Sequence, residues 1–197
     1  MRFSETELKH IGIALFVITL ALTLFFFGSF SVDGFIIMLL TFGVAFIAHE
    51  LAHKFVAQRY GYWAEFRYWE KGLLLGILMG LTRWFLFLAP GAVYIHSGYR
   101  GMPKKQNAYI SLAGAATNVA LAILFFILKP LFVKTALGFE IMALSISINL
   151  LLAWFNLLPI PPLDGSKVYA WNHRNWALIF FSISIIGFKA GIFKGLF

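Results

Sequence analysis

The chain has 197 residues, of which 61% are hydrophobic and 12% charged, and its mean hydropathy is +0.85. A soluble domain of this length could not bury so much apolar side chain, so the composition excludes a soluble protein and indicates a polytopic membrane protein. The absence of cysteine excludes a disulfide framework, a thiolate metal site and a cysteine nucleophile.

The net charge of +8 is assigned to membrane topology, because lysine and arginine collect in cytoplasmic loops. Basic residues are not interleaved with aromatic residues as a nucleic-acid-binding face would require. The expected partner of the surface is therefore the lipid bilayer, and nucleic acid is not an expected partner.

The first predicted helix runs from Lys9 to Phe27 and is opened by a capping box, Ser4-Glu5-Thr6-Glu7. Its apolar run is not followed by a small-residue cleavage pattern, so we expect a retained anchor rather than a signal peptide. A second helix is predicted from Gly34 to Gln58. Later apolar stretches predict further membrane spans at Asn107 to Leu128, Gly138 to Leu158 and Trp176 to Phe193.

A polar motif interrupts the second helix, where residues 49 to 53 read His-Glu-Leu-Ala-His. Ionisable groups at membrane depth are costly and usually mark function. Residues i and i+4 share a helix face, so His49 and His53 can bind one metal together, with Glu50 beside them to hold a metal-bound water. The spacing favours a zinc peptidase over a pair of interfacial histidines. Zinc would need a third protein ligand and one open position.

The segment between the second helix and the next clear span is ambiguous. Residues 63 to 69 alternate and are rich in aromatics, which predicts a strand, and residues 92 to 95 can form a second one. Between them, Gly72 to Ala89 is apolar but carries glycines and a Thr82-Arg83 pair. Taken alone, that stretch could be a transmembrane helix.

The third metal ligand is suggested by Asp164. The run Asn-Leu-Leu-Pro-Ile-Pro-Pro-Leu-Asp-Gly at 156 to 165 ends the fourth predicted span, and its prolines unwind the helix just before Asp164. A carboxylate is a suitable hard ligand to complete two histidines on zinc. The alternative is an interfacial aspartate after a proline turn. Glu140, the other candidate acid, is expected at the opposite membrane face.

Topology decides how the ambiguous segment runs. If the N-terminus is cytosolic, the second helix ends inside, and the basic flanks agree with this orientation: Arg59, Arg67, Lys71, Arg100, Lys104, Lys105, Lys167 and Arg174. A single crossing by Gly72 to Ala89 would place residues 159 to 165 on the side away from His49 and His53. A segment that dips in and returns keeps all of them together, so we expect a re-entrant β-loop.

These motifs resemble the site-2 protease family of intramembrane metalloproteases, in its compact prokaryotic, archaeal form without PDZ or CBS modules. The run His-Glu-Leu-Ala-His-Lys-Phe is similar to the family's first signature and the proline-rich run ending in Asp164-Gly165 to its second. Gly114 to Asn118 resembles a third element, Gly-x-x-x-Asn. The resemblance covers residues 34 to 170.

The resemblance implies a role for each motif residue. Glu50 would be the catalytic base, and zinc would be held by His49, His53 and Asp164. Asn118 and Asn156 would line the site and bind substrate backbone or the oxyanion. The strand-like segments could receive an unwound substrate as an added strand.

We therefore expect an all-α polytopic membrane protein with about five to six transmembrane helices and a re-entrant β-loop between the second and third. Residues 1–197 would form one domain, with a family core at 34–170, a first helix within 1–33 and a C-terminal helix within 171–197. The expected activity is hydrolysis, dependent on one zinc ion, of peptide bonds in or near transmembrane segments of membrane protein substrates. The protein would lie in a prokaryotic plasma membrane. The alternative is a metal transporter using the same His/His/Asp cluster, although a transporter would more naturally line its path with several such sites.

Overall fold

The computed structural model describes residues 2–84, 90–99, 101–132 and 134–192. The described residues form helices and one two-stranded sheet, in the order α1 (Glu5–Phe27), α2 (Val32–Met38), α3 (Val44–Arg59), β1 (Trp63–Tyr68), α4 (Glu70–Thr82), β2 (Gly91–His96), α5 (Lys104–Phe132), α6 (Ala136–Asn156), α7 (Asp164–Trp171) and α8 (His173–Ala190). A π-helical turn at Leu39–Gly43 joins α2 to α3, so the two run as one long helix.

Four of the described helices are long and apolar enough to cross a membrane: Glu5–Phe27, Val32–Arg59, Lys104–Phe132 and Ala136–Asn156. These are the first four predicted spans, and they confirm an all-α polytopic membrane protein. The fifth predicted span corresponds to α8, which has 18 residues. Polar residues in the first and last turns of α8 lower its mean hydropathy, so α8 is not among the four helices that are apolar enough to cross a membrane. Phe193, where that span was predicted to end, lies outside the described residues.

The first turn of α1 is tied to the centre of the molecule. Ser4 Oγ accepts a hydrogen bond from the Glu7 N–H at 3.1 Å, as the predicted capping box requires. The Glu7 carboxylate, however, accepts a hydrogen bond from the Phe66 N–H of β1 at 2.9 Å and pairs with the Lys54 ammonium of α3. Both charged side chains are completely buried. This ion pair joins α1, α3 and β1.

The predicted re-entrant loop is present as a hairpin around α4. The strands β1 and β2 pair antiparallel from Trp63↔His96 to Tyr68↔Gly91, and the Trp69 N–H donates to the Pro90 carbonyl at 2.9 Å. Trp69 and Pro90 therefore lie side by side, so the chain leaves the sheet after residue 69 and has returned to it by residue 90. The end of the predicted apolar stretch, residues 85 to 89, lies outside the described residues.

Helix α4 leads away from the sheet along α1. Gly80 packs directly on the backbone of Ala21, and Arg83 Nε donates to the Phe25 carbonyl near the C-terminal end of α1 at 2.8 Å. The close approach depends on glycine, because a Cβ at position 80 would lie 2.5 Å from the Ala21 carbonyl oxygen. Helix α4 therefore packs along α1, and the sheet lies at the start of α1.

Helix α3, which carries the polar motif, contributes to one apolar cluster and packs against α5, which contributes to a second. One cluster comprises buried residues of α1, α3, β1 and α4: Ala14, Phe46, Phe66 and Leu73. The other comprises residues of α5, α6, α8 and the turn after α6: Ala115, Ala153, Leu157 and Ile183. Exposed side chains such as Phe126 and Phe188 face outward, as a lipid-contacting surface requires.

Candidate metal centre

The two motif histidines lie on one face of α3, and both are buried, at 4% and 7% exposure. Their Nε2 atoms converge on one carboxylate oxygen: Asp164 Oδ2 lies 3.3 Å from His49 Nε2 and 2.9 Å from His53 Nε2. Two ligands of a tetrahedral zinc, each about 2.0–2.1 Å from the metal, are themselves about 3.3 Å apart. The distance from Asp164 Oδ2 to each Nε2 atom is therefore close to that between two ligands of a single small cation.

The other nitrogen of each imidazole is already engaged. His49 Nδ1 lies 2.6 Å from Asn118 Oδ1, and His53 Nδ1 lies 2.7 Å from the Ile110 carbonyl oxygen. A carbonyl oxygen only accepts, so each Nδ1 carries a proton and donates it. This leaves the Nε2 lone pair of both rings free to bind a metal, the arrangement found around zinc-binding histidines.

Asp164 is the first residue of α7, a short helix that follows the proline-rich turn and was not predicted. Its Oδ1 accepts a hydrogen bond from Lys167 Nζ at 2.9 Å, which turns Oδ2 toward the histidines. Burial alone would raise the pKa of Asp164, but in the metal-free protein the charge of a protonated His53, hydrogen bonding to both histidines and the charge of Lys167 hold that pKa well below its usual range. A bound metal would replace the proton on His53 Nε2 and supply the positive charge in its place. The Asp164 carboxyl group is therefore ionised at neutral pH, as a metal ligand would have to be.

Two glycines allow the chain to approach this centre closely. At Gly165, a Cβ would overlap the carbonyl groups of Leu157 and Leu158, so only glycine lets α7 begin tightly against the end of α6. At Gly114 on α5, a Cβ would lie 2.5 Å from His49 Nε2 and 2.7 Å from His53 Cε1. Both histidine rings thus pack on the bare backbone of α5.

Glu50 lies between the histidines and the sheet. Its Oε2 accepts a hydrogen bond from the Val93 N–H of β2 at 3.1 Å. One carboxylate oxygen of Glu50 and one nitrogen of each motif histidine all lie within 4.8 Å of one another. Glu50 is thus close enough to act on a group bound beside the histidines, and it is held by the strand rather than by the ligand cluster.

The donor set fits zinc. Two neutral imidazoles and one carboxylate are ligands that zinc accepts, and three protein ligands leave the fourth position open, as in catalytic zinc sites. The ionised carboxylate, the two oriented Nε2 atoms and the 2.9–3.3 Å spacing all satisfy that requirement.

The two asparagines implied by the resemblance lie in different surroundings. Asn118 is completely buried behind His49, and its Nδ2 donates to the Ala45 carbonyl at 3.0 Å and to Asn149 Oδ1 at 2.9 Å. Both amide hydrogens of Asn118 are therefore donated to groups within the protein. These contacts favour a role for Asn118 in orienting His49 over a role in binding the substrate. Asn156, at the end of α6, is partly buried and donates to the Leu152 carbonyl at 3.0 Å. Its contact with the substrate stays a prediction.

Residues 37–140 match Peptidase family M50. The chain belongs to this family. Two relatives bear the name "Putative zinc metalloprotease". MJ0611 of Methanocaldococcus jannaschii is 45% identical to this chain over 95% of this chain and 94% of its own length. YwhC of Bacillus subtilis is 30% identical over 66% of this chain and 66% of its own length. "Zinc metalloprotease MJ0392" of M. jannaschii is 29% identical over 64% of this chain and 31% of its own length. No solved structure matches the chain significantly.

As an M50 member with apolar membrane-spanning helices, the protein is an intramembrane zinc metalloprotease. Zinc is its metal cofactor, in agreement with the names of these relatives and with the cluster of His49, Glu50 and His53. The transporter alternative has no support among these relatives.

Some residues that shape this M50 centre were not predicted from the sequence. Lys167 lies three residues after Asp164 on a helix, a spacing that places the two side chains on one face. The sequence offered that signal, but α7 was not recognised as a helix. Glu7 was assigned only to a capping box, and Lys54 appeared only within the signature run that begins at His49. Their pairing joins positions 47 residues apart in the chain, which no local pattern indicates.

Proposed function

We propose that this M50 protease hydrolyses peptide bonds in or near transmembrane segments of membrane proteins, with Glu50 as base and with His49, His53 and Asp164 as zinc ligands. The observation that carries the proposal is the convergence of two oriented Nε2 atoms and one carboxylate oxygen within 3.3 Å, beside a second carboxylate. An ionisable group that is buried without a partner in a membrane protein raises the free energy of the folded state. A single bound metal cation would provide a partner for both imidazoles and for the carboxylate.

The chemistry is divided between the metal and one acidic side chain. Zinc, when bound, polarises the scissile carbonyl and lowers the pKa of a water molecule to about 7. The Glu50 carboxylate is positioned to take the proton of the attacking water and return it to the leaving amine, a role that is typically worth about 100- to 10,000-fold in rate. The Val93 N–H engages one carboxylate oxygen of Glu50 and so limits its orientations.

The outer edge of β2 is the proposed position of the substrate backbone. Phe66 of β1 and Val93 of β2 are paired across the sheet, and the N–H group of each residue points away from the other strand. The Phe66 N–H donates to Glu7, and the Val93 N–H donates to Glu50. The outer edge of β1 is covered by α1, where the Tyr68 N–H also bonds His10. The outer edge of β2 lies beside Glu50 instead. An unwound substrate segment paired there would present its peptide bonds next to the base.

We further propose that residues 1–197 act as one membrane domain in the plasma membrane of a prokaryote, with a cytosolic N-terminus. The basic residues that flank the predicted spans favour this orientation, although Arg100, which was counted among them, lies outside the described residues. His49 lies about 14 Å along the helix axis from Gln58. The centre is therefore below the cytosolic interface, and helix breakers in a substrate would ease its unwinding there.

The test is cleavage of a peptide with one transmembrane segment by the purified protein in liposomes. Glu50→Gln should lower turnover by at least about 100-fold while retaining zinc by elemental analysis, because the amide keeps the shape of a residue outside the ligand set. Glu140→Gln is the matched control, since Glu140 is an exposed acid on α6. Near-normal turnover by Glu50→Gln would refute its assignment as base. Cleavage of unfolded soluble peptides only would refute the proposed substrate class.

A further inference from the structure

Behind the metal centre, polar side chains from three helices form a hydrogen-bonded line. His49 on α3 donates to Asn118 on α5 at 2.6 Å, Asn118 donates to Asn149 on α6 at 2.9 Å, and Asn149 donates to the Ser145 carbonyl at 2.9 Å. Asn118 and Asn149 are both completely buried. Such a line in a dry interior has to be satisfied throughout, because an unpaired polar group there is costly.

The direction of every hydrogen bond in this line is determined by backbone carbonyls that only accept. The Ser145 carbonyl requires the Asn149 NH2 group, so Asn149 Oδ1 faces Asn118. Asn149 Oδ1 and the Ala45 carbonyl both face Asn118 Nδ2, and they require its NH2 group. Asn118 Oδ1 is then left for His49, whose Nδ1 must carry the proton.

We propose that Asn149 is a positioning residue for the zinc centre, which acts through Asn118 to hold His49 with its Nε2 lone pair toward the metal. The proposal rests on the proposed function and assigns a role to a residue that contacts neither metal nor substrate. His53 is oriented differently, by the Ile110 backbone carbonyl, which a side-chain change cannot remove. The orientation of His49 therefore depends on how α5 and α6 are packed.

A purely structural role is the competing explanation, since asparagines in membrane helices also hydrogen-bond neighbouring helices for packing alone. The two roles differ in what they change. A structural asparagine affects the thermal stability of the metal-free protein. A positioning residue affects zinc affinity as well, and outer partners of metal-binding histidines are typically worth about 10- to 100-fold in affinity.

The experiment measures zinc affinity of the full-length protein by chelator competition, together with the melting temperature without metal. Asn149→Leu removes one of the two acceptors of Asn118 Nδ2, leaves a buried amide hydrogen unpaired beside the Ala45 carbonyl contact, and should weaken zinc binding by about 10- to 100-fold. Asn149→Asp should restore binding, because a carboxyl group buried in an apolar interior is protonated and can donate to Ser145 while accepting from Asn118. Thr19→Val is the control, since the Thr19 hydroxyl is buried and finds no hydrogen-bond partner within the described residues.

A double variant makes the test specific. If Asn149 acts through Asn118, Asn149→Leu should have no further effect on zinc affinity once Asn118→Leu is present. Wild-type affinity in Asn149→Leu, or a full additional loss in the double variant, would overturn the proposal. Should Asn149→Leu not fold, Asn149→Ala replaces it with the same two criteria. If the wild type itself bound no zinc and cleaved no substrate, the proposed function would fail instead.

Discussion

Replacing Gly114 by alanine should disable the zinc centre of this M50 protease without unfolding it. The new Cβ would lie 2.5 Å from His49 Nε2, 2.6 Å from His49 Cε1 and 2.7 Å from His53 Cε1, whereas ordinary contacts are 3.4–4 Å. Each imidazole would have to move by about 1 Å, and a misplacement of that size can lower turnover by about 100-fold. Zinc affinity should fall by about 10- to 100-fold, because zinc sites tolerate errors of only about 0.2 Å in ligand distance.

The assay combines zinc competition with a chelator and cleavage of a transmembrane peptide, with the melting temperature as a check on folding. Gly12→Ala is the matched control, because Gly12 lies in α1 and a Cβ there has nothing within 4 Å. Alanine is the better helix former by about 1 kcal/mol, so this control should keep its activity and melt at the same or a higher temperature. Wild-type zinc affinity and turnover in Gly114→Ala would refute the packing of both rings on α5.

Three other outcomes are expected. Asp164→Ala should lose most bound zinc by elemental analysis, and stoichiometric zinc retained in that variant would remove Asp164 from the ligand set. Lys54→Met should lower the free energy of unfolding in denaturant by about 3–5 kcal/mol, because it leaves the Glu7 carboxylate buried without its ion-pair partner. Adding Glu7→Gln should recover most of this loss, and the absence of any recovery would contradict the buried ion pair. Single cysteines replacing Trp63 and Tyr99, both exposed, should label from the same, cytosolic side of the membrane, and labelling from opposite sides would mean that segment 70–89 crosses it.

The sequence predicted the features that are encoded locally. Long apolar runs determine the four spans, and the i, i+4 spacing on α3 brings His49 and His53 together whatever the rest of the chain does. Asp164 was predicted as a ligand because prolines interrupt a span just before an acid. The strands at 63–69 and 92–95 were predicted from their alternation and composition, and the re-entrant path between them was predicted because a single crossing would separate that acid from the histidines.

Features that depend on packing between distant elements were not predictable in the same way. Helix α7 has only 8 residues and no apolar run that would mark it. The burial of Lys54 depends on Glu7, because a lysine near a span end is otherwise expected to extend toward the interface. The placement of Asn118 behind His49 follows from the approach of α5 and α6 to α3, whereas the motif alone suggested contact with the substrate.

The ion pair between Glu7 and Lys54 also bears on how the chain enters the bilayer. Both side chains lie at the same end of an antiparallel hairpin, Glu7 near the start of α1 and Lys54 near the end of α3, and only residues 28 to 31 separate α1 from α2. Each charge is expensive to dehydrate alone, so the two helices are best inserted as a closed pair, in which one charge compensates the other. The segment that matches the M50 family begins at residue 37 and lacks α1. In a chain truncated to that segment, the Lys54 ammonium, one position from His53, would lack the Glu7 carboxylate that pairs with it here. We therefore expect α3 to need α1 in order to insert with Lys54 buried.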